Sequence, residues 1–312
     1  MNPAFSVILL TTLLGAGQGL FLALFAVEAG VAGGAWAGPA SGFYSWGSAL
    51  SVVLLGAGLL ASFFHLGHPE RAWRAAAMWR TSWLSREVIV LPAFMAIVAA
   101  YGWAHCQDSA LSMGIGIAGV VVCLLLFICT GMIYACIKFL QEWATPLTLI
   151  NFVVLGSASG VMLAAVLSAL RGEPNTHGLV VTAITLTLAG LVTRSASLYR
   201  NAQLKPRSTL QSAIGIKHPR IVQKAQGFMG GSFNTREFFH GRGPGALCAV
   251  KWLFVTGTFI LPLLLAGGAT DNGSTALLVA AFLVQFAGLI AERWFFFAQA
   301  NHPQNLYYQA VS

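Results

Sequence analysis

The sequence predicts an all-α integral membrane protein, a bundle of eight transmembrane helices. Of its 312 residues, 57% are hydrophobic and 8% are charged, whereas about a quarter of a soluble domain is charged. Its apolar runs of about 17–30 residues can each cross the ~30 Å hydrocarbon core as a helix, which satisfies its own backbone hydrogen bonds there. In chain order the runs are Pro3–Ala32, Tyr44–Phe64, Val88–Ala104, Leu111–Tyr134, Leu147–Leu170, Leu179–Leu198, Ala246–Leu265 and Thr275–Ala291.

Basic residues are concentrated in every second connection between these runs. The odd-numbered connections together hold one Lys or Arg, Arg171. The second connection holds Arg71, Arg74, Arg80 and Arg86. Because basic residues stay on the cytoplasmic side of a membrane, this alternation predicts cytoplasmic termini. We interpret residues 1–312 as a single membrane domain with a long cytoplasmic loop at about 199–245.

The net charge of +8 would suggest nucleic acid as the partner of a soluble protein. In a membrane protein it reflects topology and favours anionic membrane lipid or an acidic partner protein, so no nucleic acid is expected. The sixth connection, Tyr199–Gly245, is long and polar, and its phenylalanines are Phe228, Phe233, Phe238 and Phe239. It is richer in aromatic residues than a disordered linker, which predicts an ordered loop that docks a partner.

The second connection is also the densest cluster of ionisable residues. His65 ends the second span and Glu87 begins the third, so both are predicted at one depth near the cytoplasmic boundary. Ionisable groups at membrane depth suggest a proton or substrate path, and a histidine beside a carboxylate can exchange protons at neutral pH. Alternatively, these residues only mark the interface, which is the interpretation that we prefer for Trp73, Arg74 and Trp79.

Few other polar or aromatic positions in the runs suggest a site. Gln18 in the first run and Asn151 in the fifth could each bond a quinone carbonyl, although hydrogen bonding between helices is the commoner role. Tyr134 and Trp143 flank the fourth connection and are predicted to be aromatics of the membrane interface.

Haem and metal sites are not expected in this chain. Bis-His ligation of haem needs two facing histidines deep within spans, and the seven histidines lie at the ends of runs or in connections. The five cysteines form no C-x-x-C pair, which argues against an iron–sulfur cluster or a zinc site.

A secondary transporter is the alternative from another class of protein. It would carry ionisable residues in mid-span, and Glu28, near the outer end of the first run, gives this alternative little support.

The second connection resembles a known family. Its segments His65-Leu66-Gly67-x-Pro69-x-Arg71-Ala72-Trp73 and Ser82-Trp83-Leu84-Ser85-Arg86-Glu87 are similar to the eight-helix membrane anchor subunits of dimethyl-sulfoxide-reductase-type molybdoenzymes. The resemblance spans the whole chain. The ends look more like the branch that includes the membrane subunits of cytoplasmic sulfite-oxidising complexes. The segments that carry this likeness are Asn2–Val7, Gly15–Gly19, Glu292–Phe297 and His302–Tyr308.

The resemblance implies a complex of three parts. A molybdopterin subunit performs the substrate chemistry, and a ferredoxin-like subunit holds four [4Fe–4S] clusters. The anchor exchanges electrons between the nearest cluster and a membrane quinone, which is either ubiquinone or menaquinone. The molybdenum cofactor and the clusters are thus expected only in partner subunits. The family residues that match His65 and Glu87 are implicated in quinol binding and proton exchange. With them we expect Arg86 to steer charge and Gln18 to contact the quinone.

The predicted orientation favours one branch of the family. A docking face on the cytoplasmic side of a bacterial inner membrane suits sulfite oxidation, in which electrons pass from sulfite to quinone. A quinol-oxidising anchor of a dimethyl-sulfoxide-reductase-type complex is the alternative within the family.

Overall fold

The protein is a bundle of α-helices in a computed structural model that describes residues 1–64, 66–222, 224, 239–303 and 305. Within this described part, eight helical stretches are long and apolar enough to cross a membrane, which confirms the predicted fold class. The helices are α1 Phe5–Ala32, α2 Ser41–Phe63, α3 Trp83–Cys106, α4 Ser112–Ala135, α5 Pro146–Arg171, α6 Thr176–Ala202, α7 Leu210–Ile214, α8 Pro244–Val255, α9 Leu261–Asn272 and α10 Thr275–Ala298.

Two helical segments of other types complete the path of the chain. A 3₁₀ helix of 10 residues, Pro69–Met78, links α2 to α3. A π-helical turn, Thr256–Ile260, joins α8 and α9 into one span. Beside this turn the buried amide of Gln285 donates to the hydroxyl of Thr187 at 2.9 Å, so a polar contact holds α10 against α6 inside the bundle.

Alternate connections lie at opposite ends of the bundle. The end that holds residue 1 is called the N-terminal face below, and it also holds the 3₁₀ helix and the final residues of α4, α6 and α10. Contacts across it join distant parts of the chain, since the terminal amine donates to the carbonyl of Ala300 at 2.7 Å and Arg200 donates to the carbonyl of Gln141 at 3.1 Å. The basic even-numbered connections therefore share one face.

Helices α1 and α5 form the centre of the bundle. In each, 67% of the most apolar stretch is buried inside the protein, compared with 22% to 39% in the other spans. Small residues bring the two helices together, because a Cβ atom on Gly160 would overlap the backbone of Gly19 and Leu20. Glycine at such a crossing lets helix backbones approach closely.

A layer of aromatic rings fills the interior between the two ends of the bundle. The ring of Phe21 on α1 lies edge-on to Phe94 and Tyr101 on α3, with centroid distances of 5.3 and 5.4 Å. All three side chains are 0% exposed, and fully buried Leu24 and Val98 pack with them. The three rings of Phe21, Phe94 and Tyr101 are called the aromatic layer below.

Helix α3 begins earlier than its apolar run. The run predicted a start at Val88, whereas the helix starts at Trp83. The hydroxyl of Ser82 accepts a hydrogen bond from the backbone N–H of Ser85 at 3.3 Å, which satisfies one of the free donors at the start of a helix. Glu87 therefore lies inside the helix.

The sixth connection is shorter than predicted because α6 continues to Ala202. Its described part contains the short helix α7. A capping box between Thr209 and Ser212 stabilises the start of this helix. Phe228, Phe233 and Phe238 lie outside the described residues, so the docking loop stays a prediction.

Candidate functional site

Glu87 is a buried carboxyl group near the N-terminal face. It lies in the second turn of α3, and the residue is 6% exposed. The hydroxyl of Thr130 on α4, itself 4% exposed, donates a hydrogen bond to its Oε1 atom. A carboxyl group buried at membrane depth requires such a partner, because an unsatisfied polar group is costly there. The pair thus places a proton-binding group between two spans.

An aromatic cluster lies one helical turn beyond Thr130. Tyr134 stacks on Phe152 with a centroid distance of 5.6 Å, and it meets Phe296 and Phe297 of α10 edge-on. The indole of Trp143 donates to the carbonyl of Phe296 at 3.0 Å. The prediction that Tyr134 and Trp143 are interfacial aromatics was wrong, because α10 covers both and leaves them 9% and 4% exposed.

Arg86 does not join the Glu87 carboxyl. Its guanidinium donates to the backbone carbonyls of Trp79 at 2.9 Å and Arg80 at 2.8 Å, and it lies 4.2 Å from the ring centroid of Trp83. Consecutive residues of an α-helix point about 100° apart, which explains why neighbours in sequence face different surroundings. Arg86 fastens the end of the 3₁₀ helix to the start of α3.

Gln18 is buried, 1% exposed, and its amide donates to the carbonyl of Cys123 on α4 at 3.2 Å. Cys123 precedes Thr130 by two helical turns, about 10 Å along the axis. The structure therefore places Gln18 deeper than Glu87 and does not bring the two together. Asn151 likewise pairs with another helix, through a 2.7 Å hydrogen bond to Ser197. His65 lies outside the described residues.

A second polar cluster lies at the opposite end of the bundle. Glu28 of α1 accepts a hydrogen bond from Ser112 at 2.6 Å and lies 3.4 Å from Nε2 of His105. The imidazole of His105 stacks on the ring of Tyr44 with a centroid distance of 4.1 Å. These contacts tie α1 to α3 and α4. They give Glu28 a structural role and weaken the transporter alternative.

A buried charged cluster lies at the N-terminal face; the sequence indicated its Glu292–Arg293 ion pair, but not the part of Arg194. Glu292 of α10 lies 2.7 Å from Arg194 of α6 and 3.3 Å from Arg293, and all three residues are at most 4% exposed. With Asn151 and Gln299 they line a small polar cavity. Arg194 stands near the end of an apolar run, and its unusual depth was the available signal.

Among the described residues, no group of three or more His, Cys, Asp or Glu side chains could hold a metal ion. Within the described part, the buried carboxylates of Glu87, Glu28 and Glu292 each contact a side chain of another helix.

Comparison with known proteins agrees with this architecture. The model of the DMSO reductase anchor subunit (DmsC) family matches residues 4–308. The chain is also 55% identical, over 325 aligned positions that cover 100% of both chains, to a sulfite dehydrogenase subunit of Allochromatium vinosum. Eight membrane-spanning helices and a match over nearly the whole length lead to one conclusion: the chain belongs to the DMSO reductase anchor subunit family.

Proposed function

We propose that this chain is the quinone-reactive anchor of a sulfite-oxidising complex, in which it passes electrons from an iron–sulfur partner to the membrane quinone pool. Membership of the anchor family supports the general role. The relative named as a sulfite dehydrogenase subunit supports the sulfite branch. The observation that carries the quinone site is the buried Glu87 carboxyl with its Thr130 hydroxyl, near the face that gathers the basic connections.

The side chains around Glu87 fit a quinone headgroup. A bound quinone supplies an acceptor for two electrons and two protons, and its carbonyl oxygens accept hydrogen bonds. A buried carboxyl group can donate to such an oxygen and deliver a proton to it. Leu84, three residues before Glu87 on the same helix, is 52% exposed, so an apolar side chain lies on the outer surface beside Glu87. A lipid-soluble molecule would approach along such a surface.

Within this proposal, His65 and Glu87 relay protons between the site and water at the N-terminal face. Arg86 keeps the 3₁₀ helix in place and adds positive charge close to the carboxyl group. The hydrogen bond of Gln18 to Cys123 supports a role in pairing helices over contact with quinone.

The partners follow from the anchor role. A ferredoxin-like subunit with four [4Fe–4S] clusters would dock on the N-terminal face, on the cytoplasmic side of a bacterial inner membrane, and a molybdopterin subunit would oxidise sulfite. The basic residues of the sixth connection on that face support an acidic docking surface on the partner, because opposite charges speed correct association.

Substitution of His65 and Glu87 in the assembled complex tests the proposal. We expect His65→Ala and Glu87→Gln each to slow sulfite-to-quinone turnover by at least about 10-fold, a conservative figure beside the roughly 10²–10⁴-fold contributed by a positioned proton-transfer group. Sulfite oxidation with an artificial dye that accepts electrons from the soluble subunits should persist, because the chemistry before the quinone step is intact.

Glu70→Gln is the matched control, because Glu70 lies in the same connection with its side chain 62% exposed. It should leave both activities at the wild-type level. If quinone-coupled and dye-coupled turnover fall together in the His65 and Glu87 variants, or if neither falls, the proton-relay role is wrong.

Electron flow in the opposite direction is the second candidate, because the matching family is described as a reductase anchor. The same complex would then oxidise quinol while its molybdopterin subunit reduces a substrate. Comparison of sulfite-driven quinone reduction with quinol-driven reduction of dimethyl sulfoxide distinguishes the two directions.

A further inference from the structure

The 3₁₀ helix Pro69–Met78 has no buried residue, although it is 10 residues long. Runs of 3₁₀ helix longer than three or four residues are uncommon, because the hydrogen-bond geometry is poor. Arg86 holds the end of this segment through the carbonyls of Trp79 and Arg80. A helix that has no fully buried residue and is nevertheless held against the bundle presents most of its side chains to the surroundings of the chain.

The three-residue period of a 3₁₀ helix sorts these side chains into rows. Arg71 and Arg74 share one row. Arg80, in the turn that follows the helix, continues the same three-residue spacing. Trp73 lies in the neighbouring row together with Trp79, and these indoles are 75% and 52% exposed. The third row includes Ala72 and Ala75, which are half-buried. The arginine and tryptophan rows are therefore the exposed ones.

The positive charge of this surface is only partly compensated. The carboxylate of Glu70 lies 3.1 Å from His68 and 3.7 Å from Arg71. Arg74 and Arg80 form no ion pair within the described part of the chain, and both are exposed. The surface is thus suited to an anion.

The position of the segment identifies the anion. It connects the last residue of α2 to the first residue of α3, so it lies at the boundary of the membrane. Phe64 beside it is 88% exposed and Leu84 is 52% exposed, which places apolar side chains next to the arginines. Tryptophan and arginine together are typical of the level of lipid headgroups, and the exposed apolar side chains next to them suit the acyl chains of the same lipid.

We propose that this segment binds the headgroup of an anionic phospholipid, with Arg71, Arg74 and Arg80 on the phosphate and Trp73 and Trp79 at the level of the glycerol backbone. The binding requires neither quinone nor a particular direction of electron flow. Each arginine near an anionic membrane surface contributes about fivefold in affinity. Loss of all three should therefore weaken binding by about 100-fold.

The test uses the whole complex in lipid nanodiscs that contain phosphatidylcholine and a minor fraction of phosphatidylglycerol. The lipid that remains bound after transfer into detergent is counted by native mass spectrometry. We expect the wild type to retain phosphatidylglycerol over phosphatidylcholine, and the triple variant Arg71→Gln, Arg74→Gln, Arg80→Gln to lose that preference. The triple Arg→Lys variant should keep it, because lysine also binds phosphate as a point charge.

Two comparisons make the result decisive. Lys205→Gln with Arg207→Gln removes two exposed charges from the same face and should leave lipid retention unchanged. Elution of each variant at the wild-type volume in size-exclusion chromatography shows that the bundle is intact. Unchanged phosphatidylglycerol retention in the Gln triple variant overturns the proposal. Release of the soluble subunits with lipid retention intact would assign the surface to a protein partner instead.

Discussion

The Glu87 carboxyl and the Thr130 hydroxyl belong to different helices and are both almost fully buried. A carboxyl group can rotate about its side-chain bonds unless a neighbour fixes it, and a group that transfers protons must be held in place. Thr130 performs that function here. It therefore acts on the proposed reaction through Glu87 and not by contact with quinone.

Removal of this hydroxyl gives a prediction. Thr130→Val keeps the shape of the side chain but loses one hydrogen bond, worth roughly 1–2 kcal/mol, so quinone-coupled turnover should fall about 5- to 30-fold while dye-coupled turnover persists. Thr130→Ser should restore most of it.

Thr182→Val serves as the control for that experiment, because the Thr182 hydroxyl only donates to Gly178 of its own helix, at 2.8 Å. Equal turnover in the Thr130→Val and Thr182→Val variants would show that the Glu87 contact has no part in the reaction.

The sequence could indicate Glu87 because it is a carboxylate at the start of a span, and Gln18 because polar residues are rare within apolar runs. Their partners could not be predicted. Which residue of α4 faces Glu87 depends on the rotation and axial position of two helices, and the packing of the whole bundle determines both. The same reason hid the pairing of Arg194 with Glu292.

At the scale of the helices, apolar length predicted each span, but local hydrogen bonding set the ends. The cap at Ser82 moved the start of α3 to include Glu87. The 3₁₀ helix was not predicted, because its composition has no apolar period to distinguish it from a loop. Trp73, Arg74 and Trp79 were interpreted as interfacial from the sequence, and their exposure agrees with that interpretation.

The crossing of α1 and α5 gives a prediction at this scale. Gly160→Ala places a methyl group against the backbone of Gly19 and Leu20, which cannot move aside without separating the two central helices. We expect a loss of about 1–3 kcal/mol in stability, typical of overpacking, measured as a lower midpoint of thermal unfolding in detergent.

Gly114→Ala is the counterpart for the Gly160 experiment, since a Cβ atom on Gly114 of α4 would meet nothing within 4 Å. It should be neutral or slightly stabilising, because alanine favours the helix by about 1 kcal/mol. Identical unfolding midpoints for the two variants would contradict the close packing of α1 and α5.

For the molecule as a whole, the structure groups the basic connections on one face, and the positive-inside rule predicts that this face is cytoplasmic. Reporter fusions after Gly33, His105 and Asp271 should therefore report the periplasm, and fusions within Gln203–Gly243 the cytoplasm. The reverse pattern would place the docking face outside and remove the support for a cytoplasmic sulfite-oxidising partner.

The aromatic layer has a consequence for energy conversion. His105 and Glu87 are separated by about 27 Å of helix α3, and the fully buried rings of Phe21, Phe94 and Tyr101 occupy the interior between them. Under the proposed function, the protons that reduce quinone therefore enter from the N-terminal face, which is also the face where the electrons arrive. Turnover would add nothing to the membrane voltage, and the energy of sulfite oxidation would leave this complex only as quinol, for a later enzyme to convert.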